Sequence, residues 1–155
     1  MKIALGTDHG GFHLKSSLIR QLASQGHRVQ DMGTDSPKPC YYPRIGAKVA
    51  EAVSSGRARR GVLLCKSGGG MAIVANKFPG VRAVVCPSPS LARHAREHND
   101  ANVLVLGGEG MTLRQARAIL SVWISTSFGG GRHARRVRQI RRIEKGIIQR
   151  SCSNS

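Results

Sequence analysis

An α/β fold is predicted for this chain: a three-layer α/β/α sandwich around a five-stranded parallel sheet. Three observations support it. Short β-type apolar runs recur five times, longer amphipathic stretches separate them, and polar, glycine-rich segments directly follow four of the five runs. Parallel strands joined by crossover helices give this alternation, since each helix returns the chain to the end of the sheet where the next strand begins.

The first strand is expected over residues 2–7. Phe12, Leu14, Leu18, Ile19 and Leu22 then recur at helical spacing, and Gly26 follows where a helix C-terminus favours a left-handed residue. A second strand over 28–32 closes a βαβ unit. The segment 33–43 carries three prolines and reads as a loop before a second helix over 45–55. Strands over 61–65, 81–86 and 103–107 alternate with helices over 71–77, 89–98 and 112–126. The result is a Rossmann-like arrangement, in which ligands bind beyond the carboxyl ends of the strands near a topological switch point. That rule selects Asp8-His9-Gly10-Gly11, Lys66-Ser67-Gly68-Gly69-Gly70, Pro87-Ser88-Pro89-Ser90 and Glu109 with its flanking glycines.

Composition narrows the classes. With 155 residues and 40% apolar content, the chain can close one hydrophobic core. No window is apolar enough for a membrane span, and the N-terminus lacks the pattern of a secretory signal, so a cytoplasmic protein without membrane association is expected. Cys40, Cys65, Cys86 and Cys152 lack the paired spacing of a zinc site or the density of a disulfide scaffold, and all four are expected as thiols. Lys and Arg number 25 against 8 Asp and Glu, a net +17 that attracts anions without naming one. Arg132, Arg135, Arg136, Arg138, Arg141, Arg142, Lys145 and Arg150 crowd the C-terminal segment, which reads as a basic tail. Aromatic residues make up only 4% and no reader motif is present, so nucleic acid is disfavoured as a partner.

The rim residues suggest chemistry. Gly68-Gly69-Gly70 can turn backbone amides toward an anion, although a tight strand-to-helix turn accounts for it equally well. It is neither a phosphate-binding P-loop nor a dinucleotide fingerprint. Cys65 precedes it, and Lys66 beside it favours a thiolate. A thiolate can take the proton from a carbon next to a carbonyl, and amides can hold the resulting enediolate oxygen. The plain alternative is a small core residue ending a strand, as Cys86 also does. Asp8-His9 supplies a carboxylate and an imidazole on the same rim. His98-Asn99-Asp100 supplies another such group, or simply a helix cap. Arg132 and Arg136 can fork onto a phosphate, or can belong to a solvated face.

Five blocks occur in order: Gly-Thr-Asp-His-Gly-Gly-Phe-His-Leu-Lys at 6–15, Cys-Lys-Ser-Gly-Gly-Gly-Met at 65–71, Ala-Asn-Lys at 75–77, Arg-Glu-His-Asn-Asp-Ala-Asn-Val-Leu at 96–104, and Gly-Gly-Arg-His-Ala-Arg-Arg-Val at 130–137. The series resembles the type B ribose-5-phosphate isomerases and their allose- and galactose-6-phosphate isomerase relatives. The resemblance covers residues 1 to about 140 and leaves 141–155 as a basic C-terminal extension to an isomerase domain over 1–140.

The resemblance implies aldose-ketose isomerisation of a sugar phosphate, with ribose 5-phosphate and ribulose 5-phosphate as the leading pair, and without metal or cofactor. It assigns Cys65 as the base and Ser67 as a hydroxyl that moves protons among the substrate oxygens. Asp8 and His98 become the ring-opening groups, and Gly68, Gly69 and Gly70 the amide cradle. His9, Arg132 and Arg136 become phosphate contacts, and Tyr42 and Asn99 line the sugar site. It also implies a homodimer or homotetramer in which the segment bearing His98 and the C-terminal region complete the partner's site. The chain departs from the family at Lys66 and Gly69 in the loop, at Tyr41, and at Glu109 where arginine is common. Two other readings stay open: an isomerase of another four- to six-carbon sugar phosphate, and a non-catalytic binder of phosphosugars or polyanions on the same fold.

Overall fold

A computed structural model of the chain describes residues 1–153, with side chains through 150, so the side chain of Cys152 lies outside the described residues. Five strands run parallel: β1 (Lys2–Thr7), β2 (Arg28–Asp31), β3 (Arg60–Cys65), β4 (Ala83–Val85) and β5 (Val103–Gly107). Between and after them lie α1 (Phe12–Ser24), α2 (Tyr42–Ser54), α3 (Gly69–Ala75), α4 (Pro89–Asn99), α5 (Leu113–Ser125) and α6 (Gly131–Ser153). The three-layer α/β expectation holds. No helix among the described residues is long and apolar enough to cross a membrane.

The sheet order is β2-β1-β3-β5-β4, so the chain reverses direction between β1 and β3. Successive strand residues point to opposite faces, and the two faces bury two separate cores. Ile3, Leu5, Val62, Leu64, Leu104 and Leu106 pack with α1, α4 and α5 around Trp123. Ala4, Leu63, Cys65, Val103 and Val105 pack with α2 and α3. Full burial of each large aliphatic side chain stabilises by about 1.5–3 kcal/mol, so apolar packing supplies most of what holds both helix layers to the sheet.

Local signals set the helix ends. At Gly26, with φ 77°, His27 N–H donates to Leu22 O and Gly26 N–H to Ala23 O, which is the expected left-handed stop after α1. Ser88 caps α4 ahead of Pro89, and Thr112 with Gln115 forms a reciprocal capping box on α5. β4 is shorter than the expected 81–86 because the Arg82 N–H turns to Asn102 Oδ1 instead of the ladder. The larger difference is α6. The basic segment read as a tail is one continuous helix that crosses residue 140 without a break. It is anchored through Val137, and through Glu144, whose Oε1 accepts from Gly80 N–H at 2.8 Å.

Candidate active site

The switch point puts the first and third loops side by side. Thr7 pairs with Leu64, and just beyond them Asp8 N–H donates to Leu64 O at 3.1 Å. Asp8 is 4% exposed, and its Oδ1 accepts from Gly10 N–H at 2.8 Å, which curls the loop over its own carboxylate. Cys65 ends β3 opposite Gly107 and is 5% exposed. The Gly68 N–H donates to Cys65 Sγ at 3.2 Å.

That contact requires a left-handed Gly68, with φ 84°, where a side chain would also sit 3.0 Å from Val85. It assigns the Gly68 N–H to the sulfur. The amides of Gly69, Gly70 and Met71, in the first turn of α3 without intrahelical acceptors, remain available to a ligand. The Tyr42 ring, at the start of α2, lies where a side chain on Gly70 would be, 2.6 Å from such a Cβ. His9 Nδ1 accepts from Cys40 N–H at 3.3 Å and so ties the first loop to the 33–43 segment that leads to Tyr42.

Three loops meet backbone to backbone here. Gly108 N–H donates to Cys65 O at 2.7 Å and Glu109 N–H to Lys66 O at 3.0 Å. A cavity of about 310 Å³ opens next to Ser67, lined also by Lys66, Val85, Gly107 and Glu109. Lys66 and Glu109, two departures that had no connection in the sequence, form an exposed ion pair at 3.2 Å across its mouth. Asp8, His9, Tyr42, Cys65, Ser67 and Gly68 to Gly70 thus gather on one rim.

The remaining expected residues do not join them. Because α4 runs antiparallel to the strands, its last turn lies at the amino end of the sheet. His98 stacks there on His133 of α6, with ring centroids 4.2 Å apart, and on His94 at 5.1 Å. Arg132 and Arg136, exposed on the first turns of α6, are close enough for their charges to act on His133. Desolvation first, then these neighbours, hold His133 below its ordinary value. A recess beside His98 and His133 is lined by Arg93, Glu97 and the 125–129 segment. Asn99 O accepts from Arg82 Nε. The site residues therefore form two clusters, at opposite ends of one sheet.

One group escaped the sequence reading, and a second was named there without its ion-pair partners. His133 stands inside a quoted block, but only its stacking partner received a role. Asp100 caps α4 in a left-handed conformation, φ 47°, and bonds Arg82 at 2.9 Å and Arg96 at 3.0 Å, which fixes the turn carrying His98 and Asn99. The partners are 18 and 4 residues away, and only the nearer spacing was visible in the sequence.

A family model described as Ribose/Galactose Isomerase matches residues 3–140. Ribose-5-phosphate isomerase B of Escherichia coli (strain K12) is 44% identical over 93% of this chain and 97% of its own length. A D-erythrulose-4-phosphate isomerase of Pectobacterium atrosepticum is 36% identical over 90% of this chain and 93% of its own. The solved structure of Clostridium thermocellum ribose-5-phosphate isomerase B superposes with a TM-score of 0.91 at 48% identity, covering 95% of this chain and 99% of that one. With a family model matched over residues 3–140 and similarity of this breadth in sequence and fold, the chain belongs to the ribose/galactose isomerase family.

Proposed function

We propose that this protein interconverts an aldose phosphate and a ketose phosphate, with ribose 5-phosphate and ribulose 5-phosphate as its pair. The observation that carries this reading is the Cys65 sulfur, held by the Gly68 N–H beside a set of unbonded amides and one loop away from Asp8. The Cys65 thiolate takes the proton from the sugar carbon next to the carbonyl, and the electron pair moves onto the carbonyl oxygen as an enediolate. The Gly69, Gly70 and Met71 amides stabilise that oxygen. Ser67 relays a proton between the two substrate oxygens, and the thiol returns its proton to the neighbouring carbon. Asp8 and His98 open the cyclic sugar beforehand.

Two subunits share each site in this reading. His98, Asn99, Arg132 and Arg136 sit at the far end of the sheet from Cys65, so a partner's amino-end cluster completes the first subunit's carboxyl-end rim. His9 with the partner's Arg132 and Arg136 receives the phosphate. The unit that does this is residues 1–140, with 141–155 a basic extension of α6. The family match ending at residue 140 supports that division.

A four- or six-carbon sugar phosphate is the second reading, favoured by the Lys66–Glu109 pair at the cavity mouth. An exposed pair of this kind is worth about 0–1 kcal/mol, so Lys66 can leave Glu109 for a phosphate at little cost. The deciding experiment assays isomerisation of aldose and ketose phosphates of four to six carbons, with and without a chelator. The five-carbon pair should turn over fastest and be indifferent to chelation. Turnover that the chelator abolishes, or none with any sugar phosphate, sinks the proposal.

A further inference from the structure

At the amino end of the sheet a second recess, of about 210 Å³, is lined by Arg59, Arg60, Arg82, Arg96, Asp100 and Asn102. The arginines come from separate places: the turn before β3, its first residue, the approach to β4, and the last turn of α4. Asp100 is the one carboxylate among them, already bonded by Arg82 and Arg96. Four guanidinium groups against one carboxylate leave an excess of positive charge facing the recess. Other neighbours do not reduce it, since His27 and the N-terminal ammonium lie near enough to Arg60 that its charge helps hold His27 below the ordinary value, after burial and the N-terminus. Burial first, then the charges of Arg96 and Arg59, lowers Arg60 to about 10, with Asp100 acting in the opposite direction.

Part of the cluster has a structural task. Arg60 Nη1 donates to the carbonyls of Trp123 and Ile124, and Arg96 Nε to that of Thr126, which caps the end of α5. Arg96 Nη1 serves Asp100 and the Ala101 carbonyl. These bonds leave Nε and Nη2 of Arg60 and Nη2 of Arg96 without acceptors among the described residues. The guanidinium of Arg59, exposed at the edge of the recess, has no ion pair or hydrogen bond there at all, so capping does not account for it.

We propose that this recess is an anion site, separate from the isomerisation site, that binds a phosphate group between the free forks of Arg59 and Arg60 and the remaining Nη2 of Arg96. Planar guanidinium forks match the oxygens of a phosphate in pairs. The volume lies below the ~300–1,000 Å³ of clefts that take drug-sized ligands, which points to inorganic phosphate or a short phosphorylated metabolite and away from a nucleotide.

The test is calorimetric titration of the full chain with inorganic phosphate, then with glycerol 3-phosphate, at low ionic strength. It uses an Arg136→Ala background to weaken phosphate binding at the proposed substrate site. Binding should persist in that background, weaken at least about tenfold on adding Arg59→Ser, and recover in part with Arg59→Lys, as loss of one charge-assisted contact predicts. Arg59 has no structural bond to lose, so the melting temperature without ligand should not change. Tighter binding of inorganic phosphate identifies the free ion as ligand, and tighter binding of glycerol 3-phosphate a metabolite. Loss of all binding with Arg136→Ala, or an affinity indifferent to Arg59→Ser, overturns the site. The readout is binding rather than turnover, so it stands whether or not the isomerase assignment survives.

Discussion

At the carboxyl end of the sheet the polar groups on the rim are backbone amides and compact side chains: the amides of Gly69 to Met71, the Gly68 N–H on Cys65, and the side chains of Asp8, His9 and Ser67. At the amino end they are long side chains, chiefly guanidinium groups, set around Asp100. The difference matches the charge each end handles in the proposed mechanism and at the proposed anion site. An enediolate exists only in passing, and preorganised amides stabilise it without having to move. A phosphate carries permanent charge, which flexible cations meet as well. Geometry should therefore dominate at the first end and charge at the second.

The largest effect should come from the carboxyl end. Cys65→Ala and Cys65→Ser should each lose at least about a hundredfold in turnover, the scale of a positioned base, and keep a normal circular dichroism spectrum. Near-normal turnover of either variant would remove the base from the proposed mechanism. A mixing experiment then asks whether the two ends work together across subunits. Cys65→Ala and His98→Ala chains, each inactive alone, should regain roughly a quarter of wild-type activity after joint unfolding and refolding, because half the dimers then hold one intact composite site. No recovery would place both residues in a site within one chain, against the separation of the clusters.

At the amino end, Arg136→Ala should raise KM at least about tenfold with a smaller change in kcat, the cost of one charge-assisted contact. Deleting residues 146–155 should change KM less than about threefold at physiological salt, where exposed charges are screened. Equal losses from the two changes would bring the end of α6 into the active site. The smallest effect belongs to Cys86. Burial raises its thiol to about 11, so it stays neutral and should resist iodoacetamide at pH 7 in the folded protein, while half-buried Cys40 labels more readily. Cys86→Ala should cost on the order of 1 kcal/mol of stability and leave turnover intact.

The carboxyl end was largely legible in the sequence because its parts are local. A strand followed by glycine and a small polar group names its own position, and the β1 and β5 boundaries were read correctly from continuous apolar runs. The amino end was not. Arg60, Arg82, Arg96 and Asp100 are meaningful only as a set, and folding alone brings them together. α6 was missed for a different reason. Its dense arginines read as a solvated charged run, although arginine is a good helix former and Val137, Ile140, Glu144 and Ile147 keep a spacing of three or four on the side that meets the body. The pairing of Lys66 with Glu109 was equally hidden, since each was judged separately as a departure.

The close meeting of the three glycine loops has a consequence for how this scaffold can change. A side chain at Gly10 would come within 2.7 Å of the Lys66 nitrogen, one at Gly107 within 2.9 Å of Ser67 O, and one at Gly108 would run into Gly10 O. Each loop is thus a wall of the next, and lengthening or bulking any one would displace Cys65 and Asp8 together. Variation that spares the reaction is confined to side chains standing clear of these walls, of which Tyr41, Lys66 and Glu109 are exposed. A search for new sugar preference should randomise those three positions and leave the loop lengths alone.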